Sequence, residues 1–129
     1  MGKLKSTVLL VDDSPLFLRQ AKAMLEEKYD VAVATSGDRA LIMLDKVMPS
    51  VILLDYEMPG MNGKETFEAI RRMPQFAFIP ILFLTAVADA AHIKDVLKLR
   101  PDGYILKPVT KSELLKRVGE ANGEIFWEN

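Results

Sequence analysis

Four short apolar runs in this chain each end on a reactive polar residue: residues 8–11 lead into Asp12-Asp13, 51–54 into Asp55, 81–84 into Thr85, and 104–106 into Lys107. Runs this short and this apolar suit strands covered on both faces, as in a parallel sheet. If they are neighbouring parallel strands, their carboxyl ends lie on one edge. Three acids, a hydroxyl and an ammonium then meet in one pocket, at the edge where open α/β sheets bind ligands.

The segments between the runs read as helices. Ser14-Pro15 offers an N-cap followed by proline at the first helical position, and Phe17, Leu18, Ala21, Met24 and Leu25 recur at helical spacing up to Glu27. Asp30–Ala34 reads as a brief strand. Residues 36–47 read as a helix with Ala40, Leu41, Leu44 and Val47 on one stripe and Pro49 closing it. Residues 55–63 form a turn-rich loop containing Pro59, Gly60, Asn62 and Gly63, before a helix over about 64–72 carrying Phe67 and Ile70. A strand over 80–84, a weaker helix over about 89–99, the strand 104–106 and a helix from Lys111 to Ala121 complete the pattern.

Strand and helix therefore alternate five times, which implies a five-stranded parallel sheet with helices on both faces and right-handed crossovers. Such doubly wound, flavodoxin-like α/β folds most often take the strand order 2-1-3-4-5, with the winding reversing between the first and third strands. Those two strands carry Asp12, Asp13 and Asp55. At 129 residues the chain is expected to be a single domain, with a core from about residue 7 to 121.

Composition removes several function classes. With 17 basic against 18 acidic side chains and a net charge of −1, no electrostatic footprint for direct nucleic-acid binding is present. No cysteine occurs, so disulfides, thiolate chemistry and zinc thiolate sites are excluded. No apolar stretch approaches the ~20 residues of a membrane span, and no signal-peptide pattern opens the chain. A cytoplasmic location without membrane contact is the expectation. The opening Met1-Gly2-Lys3-Leu4-Lys5-Ser6 formally fits the myristoylation pattern, but a basic terminus explains it equally well and it is set aside.

Three converging carboxylates repel one another by ~4 kcal/mol per close pair at an effective dielectric near 20. They must take up protons or bind a hard cation, and an all-oxygen, water-accessible site suits Mg2+, which keeps several waters and shares the rest with a phosphate. Asp55 is then a candidate nucleophile toward phosphorus, forming an acyl phosphate. Lys107 would supply a compact cation and Thr85 a hydroxyl hydrogen bond to a phosphoryl oxygen. Taken singly, each residue has an ordinary explanation: Asp12-Asp13 as a helix cap, Asp55 as a turn residue, Thr85 as a satisfied hydroxyl, Lys107 as a solvated lysine. Their joint placement at four strand ends is what singles them out. His92 lies in a polar helix and reads as a surface histidine, and Ile125-Phe126-Trp127 reads as a packed extension of the last helix.

At these residues the chain resembles the receiver domains of two-component response regulators, from about residue 7 to 121. The segments that carry the resemblance are Val8-Leu9-Leu10-Val11-Asp12-Asp13-Ser14, the stretch from Val51 through Asp55-Tyr56-Glu57-Met58-Pro59-Gly60 to Gly63, Pro80-Ile81-Leu82-Phe83-Leu84-Thr85-Ala86, and Gly103-Tyr104-Ile105-Leu106-Lys107-Pro108. The resemblance implies that Asp55 is the phosphoacceptor, receiving its group from a phosphohistidine on a sensor histidine kinase or phosphotransfer protein. It implies magnesium bound by Asp13, by Asp12 directly or through water, by Asp55, and by the backbone carbonyl of Glu57. Lys107 would pair with the phosphoryl group, the Lys107–Pro108 bond would be cis, and Thr85 and Tyr104 would be a switch pair. The output would leave through the fourth helix, fifth strand and fifth helix to a downstream effector, with a phosphorylation-dependent homodimer through that face as a further expectation.

Two departures from the family pattern stand out. Ser50 replaces an acid, and Pro101-Asp102-Gly103 replaces a small-residue approach to the last strand. Glu57 and Val87, two residues beyond Asp55 and Thr85, flank the expected phosphoryl position. Two other readings compete. Asp55-Tyr56-Glu57 loosely fits a magnesium-dependent phosphohydrolase with an aspartyl nucleophile, although so short a chain shows no cap domain. A flavodoxin-like cofactor binder would need a hydroxyl- and glycine-rich loop where Asp12-Asp13-Ser14-Pro15 stands. The leading expectation is a signalling module rather than a turnover enzyme, either stand-alone or a piece of a longer regulator.

Overall fold

The computed structural model describes residues 5–88 and 90–124. Strands β1 (Thr7–Val11), β2 (Asp30–Ala34), β3 (Val51–Leu54), β4 (Ile81–Thr85) and β5 (Gly103–Leu106) alternate with helices α1 (Pro15–Leu25), α2 (Gly37–Met43), α3 (Gly63–Arg72), α4 (Ala90–Lys98) and α5 (Lys111–Ala121). The strands form one parallel sheet in the order β2-β1-β3-β4-β5, as the alternation predicts. Residue Val8 pairs with Val31 on one side and Val51 on the other, so β1 and β3 are neighbours at the point where the winding reverses.

Strand side chains alternate between faces, and each face has its own core. Val8, Leu10, Leu53, Leu82, Leu84 and Ile105 pack under α1 and α5 against Leu18, Leu25, Leu114 and Val118. Leu9, Val11, Ile52, Leu54, Ile81 and Phe83 pack on the opposite face against Ala40, Phe67, Ile70 and Val96 of α2, α3 and α4. Every residue of β3 and β4 is buried, which is why both read as unbroken apolar runs.

The helix starts follow their caps. Ser14 Oγ accepts the Phe17 N–H at 3.2 Å, with Pro15 opening α1. The Asn62 side chain and Glu65 form a reciprocal capping box that starts α3 at Gly63, one residue before the expected start. Helix α2 is shorter than its apolar stripe: it ends at Met43, and Asp45 and Lys46 turn back onto Ile42 and Met43 carbonyls. Pro49 disfavours helical backbone at Met48, and the chain must unwind to enter β3, so Leu44 is buried beyond the helix. A short 3₁₀ turn over Pro74–Phe76 precedes β4, a feature the apolar pattern does not announce. Residue Thr85 belongs to β4 itself, whereas Ala90–Lys98 and Gly103–Leu106 fall within a residue of their expected bounds. Asp89, Ile125, Phe126 and Trp127 lie outside the described residues.

The two departures lie at the amino-terminal edge of the sheet. Ser50 donates its N–H to the Thr7 carbonyl at 2.8 Å. Asp102 Oδ2 accepts the Ile81 N–H at 2.8 Å and the Arg71 guanidinium at 3.0 Å, and Arg71 also donates to the Phe76 and Ile79 carbonyls. Asp102 thus ties α3, the turn after it and the start of β4 together, on the side away from the acid cluster.

Candidate functional site

The carboxyl edge of the sheet is extended by one backbone hydrogen bond past β1, β3 and β5. Asp12 N–H donates to Ala34 O at 3.1 Å, Asp55 N–H to Val11 O at 2.9 Å, and Lys107 N–H to Thr85 O at 2.9 Å. These bonds fix the Cα positions of the site residues before any side chain is considered. The Asp12, Asp13 and Asp55 carboxylates converge, with one oxygen of each within 4.8 Å of the others. Asp12 and Asp55 are buried and Asp13 is exposed to water.

Lys107 Nζ reaches into this cluster, 2.5 Å from Asp12 Oδ2 and 3.8 Å from Asp55 Oδ2. The other Asp12 oxygen accepts the Ser14 N–H at 2.9 Å. Thr85 is buried, its hydroxyl hydrogen-bonded to the Asp55 carboxylate while accepting the Val87 N–H at 3.4 Å. Burial pushes the Asp55 carboxyl above its ordinary range; the Thr85 hydroxyl and Lys107 pull it back, the Asp12 charge adds to the rise, and the Glu57 N–H lowers it. Tyr104, opposite Phe83 in the β4–β5 register, donates its hydroxyl to the Val87 carbonyl in the segment that follows Thr85.

The strand-end residues expected to meet do meet. Three carboxylates and one ammonium leave a net charge of −2, all donors are oxygens, and Asp13 opens the group to solvent. That donor set fits a hard divalent cation which retains water ligands. Glu57 is exposed and lines a groove with Tyr56, Met58, Asn62, His92 and Asp95, so the surface histidine shares a groove with the loop that leaves Asp55. The Lys107–Pro108 bond is cis.

Two contributors have no signal in the strand-end pattern. Gly63 lies against the loop that leaves Asp55: a Cβ there would sit 2.5 Å from the Asp55 carbonyl oxygen and 2.5 Å from the Tyr56 Cα. Its N–H donates to Tyr56 O at 2.8 Å, closing the loop onto itself. Glycine in a turn-rich segment is the only hint the sequence carries. Phe17 reads as a core position of α1, yet its ring centroid lies 4.0 Å from Lys107 Nζ.

A fold of this order with this group of residues on its carboxyl edge agrees with comparison to known proteins. The response regulator receiver domain model matches residues 8–119. The chain belongs to the response regulator receiver domain family. The DNA-binding response regulator MtrA of Mycolicibacterium smegmatis is 33% identical over 119 residues, covering 92% of this chain and 51% of that protein. The nitrate/nitrite response regulator protein NarL of Escherichia coli is 33% identical over 122 residues, covering 90% of this chain and 54% of that protein. Among solved structures, the chemotaxis protein CheY4 of Vibrio cholerae superposes with a TM-score of 0.85 at 31% identity, covering 91% of this chain and 98% of that one. This receiver domain spans about half the length of the curated relatives it matches.

A receiver domain is a phosphoacceptor signalling module, and nothing in these likenesses favours a phosphohydrolase. Among the described residues, no helix of the receiver is long and apolar enough to cross a membrane.

Proposed function

We propose that Asp55 accepts a phosphoryl group from a phosphohistidine on a sensor histidine kinase or phosphotransfer protein, and that the resulting change in charge is read at the α4–β5–α5 face. The observation that carries this reading is the meeting of Asp12, Asp13 and Asp55 within 4.8 Å beside an ammonium and a buried hydroxyl. One Asp55 oxygen attacks phosphorus, the bond from phosphorus to the donor imidazole nitrogen breaks, and its electron pair leaves with the imidazole. Asp12, Asp13, Asp55 and the Glu57 backbone carbonyl would hold Mg2+, which when bound offsets charge on the transferring group.

Lys107 lies 3.8 Å from Asp55 and pairs with the incoming phosphoryl oxygens, while Thr85, already facing Asp55, donates its hydroxyl to another. Thr85 and Tyr104 form the switch: the phosphoryl group adds negative charge and acceptor oxygens, which draws Thr85 and the Val87 segment inward and changes what the Tyr104 hydroxyl can reach. The chain then assists only its own phosphorylation and dephosphorylation, in the cytoplasm, and passes the signal to an effector or to a second copy. The test is intact mass after treatment with acetyl phosphate and Mg2+. One phosphoryl adduct on the native chain and none on Asp55→Asn supports the reading; an adduct that persists in Asp55→Asn refutes it.

A further inference from the structure

Four contacts close a circuit around the Lys107 ammonium. Asp12 Oδ1 accepts the Ser14 N–H at 2.9 Å, and Ser14 Oγ accepts the Phe17 N–H at 3.2 Å. The Phe17 ring faces Lys107 Nζ at 4.0 Å, and Lys107 donates to Asp12 Oδ2 at 2.5 Å. The turn that caps α1 therefore orients the carboxylate and the ring that hold one cation between them. An ammonium has three donors. One is taken by Asp12, Asp55 lies 3.8 Å away, and the ring covers a third side on which water would otherwise compete.

We infer that Phe17 is a positioning residue for Lys107, a cation–π wall that keeps the ammonium inside the pocket and within a short swing of a phosphoryl group on Asp55. The role rests on the phosphoacceptor reading. A lysine stem has much rotamer freedom to lose, and a free ammonium prefers to be hydrated. Pinned between Asp12 and the ring, the side chain is 18% exposed and has already given up most of that freedom. Replacing the ring by an aliphatic side chain leaves the helix face apolar but removes the quadrupole that attracts the cation. The ammonium then gains a solvated alternative outside the pocket.

Phe17 also packs against the core under α1, so the test must separate packing from positioning. NMR of the metal-free chain reads the contact itself: Lys107 Hε resonances are expected upfield in the native protein, through the ring current, and at ordinary shifts in Phe17→Leu. Function is read by the rate of Asp55 phosphorylation from acetyl phosphate with Mg2+. Phe17→Leu is expected to slow it about three- to tenfold, the range of a partly desolvated cation–π contact. Phe17→Trp is expected within twofold of native, and in a Lys107→Met background Phe17→Leu is expected to add no further loss. Should Phe17→Leu fail to fold, Phe17→Met carries the same comparison. Unshifted native Lys107 resonances, or equal slowing in both backgrounds, would overturn Phe17's role alone. A native chain that takes no phosphoryl group on Asp55 overturns the phosphoacceptor reading and the role together.

Discussion

The Lys107 ammonium lies closer to Asp12, at 2.5 Å, than to Asp55, at 3.8 Å. Without a metal it is the cation that holds two buried carboxylates together. Lys107→Met should therefore lower the melting temperature of the metal-free chain, because removing one partner leaves like charges in a poorly hydrated pocket. A divalent ion supplies the missing charge, and saturation at one hundred times Kd adds about 2.7 kcal/mol by mass action. Thermal melts with and without Mg2+ should show a larger magnesium-induced rise in Lys107→Met than in the native chain. An equal rise in both would refute the coupling.

The pH dependence follows from Asp55. Its carboxyl is raised above the ordinary value of 3.8, first by burial, with Asp12 adding to the rise. A raised folded-state value means the contribution to stability is fully present below the ordinary value and is lost as pH climbs through the raised one. Ionised Asp55 is therefore destabilising at neutral pH without metal. Asp55→Asn should raise the melting temperature at pH 7 by several degrees, and the gain should shrink as pH falls toward 4. Melts across that range check it; a gain that grows on acidification contradicts the sign.

Much of this arrangement is legible in the sequence because the sheet is covered on both faces. That burial turns β1, β3 and β4 into continuous apolar runs whose ends are unambiguous, and the reactive residues stand at those ends. What is not legible depends on partners distant in the chain. The apolar stripe continues through Leu44 and Val47, but the helix stops at Met43 because the chain must turn into β3. Asp102 looks like a loop residue until Arg71 and the Ile81 N–H are seen on it. Phe17 and Lys107 are separated by most of the domain, and only the fold brings the ring to the ammonium.

Tyr104 tethers the segment after Thr85 by donating its hydroxyl to the Val87 carbonyl. Tyr104→Phe keeps the ring and removes that bond, at a cost of about 1 kcal/mol. Amide exchange at Ala86, Val87 and Ala88 is expected to accelerate in the variant, while amides of β1 and β3 keep their protection. Unchanged exchange at Val87 would show that the tether does not restrain this segment.

Asp102 offers the opposite separation, stability without function. Its carboxylate serves the N–H of Ile81, the first residue of β4, while Thr85 is the last, ~13 Å away along the strand. Asp102→Ala leaves the buried Ile81 N–H without its acceptor and removes one of the Arg71 partners, the Phe76 and Ile79 carbonyls remaining, a loss of about 1–3 kcal/mol. Chemical denaturation should show that loss, with Mg2+ affinity unchanged within twofold. A parallel fall in Mg2+ affinity would place Asp102 in the site.

Gly63 tests how tightly the loop after Asp55 must close. An added methyl would sit 2.5 Å from the Asp55 carbonyl oxygen and 2.5 Å from the Tyr56 Cα, both backbone atoms that cannot rotate away. Gly63→Ala must push α3 off the sheet or shift the peptide that carries Asp55, and overpacking of this kind costs about 1–3 kcal/mol. Gly60 is the control: it has φ +73 with open space around its Cβ position, so Gly60→Ala is strained only through its backbone, at about 1 kcal/mol. Mg2+ titration and denaturant melts of the two variants should show both destabilised, with metal affinity falling several-fold in Gly63→Ala alone, because only there does the Asp55 main chain move. Equal metal affinity in the two variants would mean that α3 yields and Asp55 keeps its place.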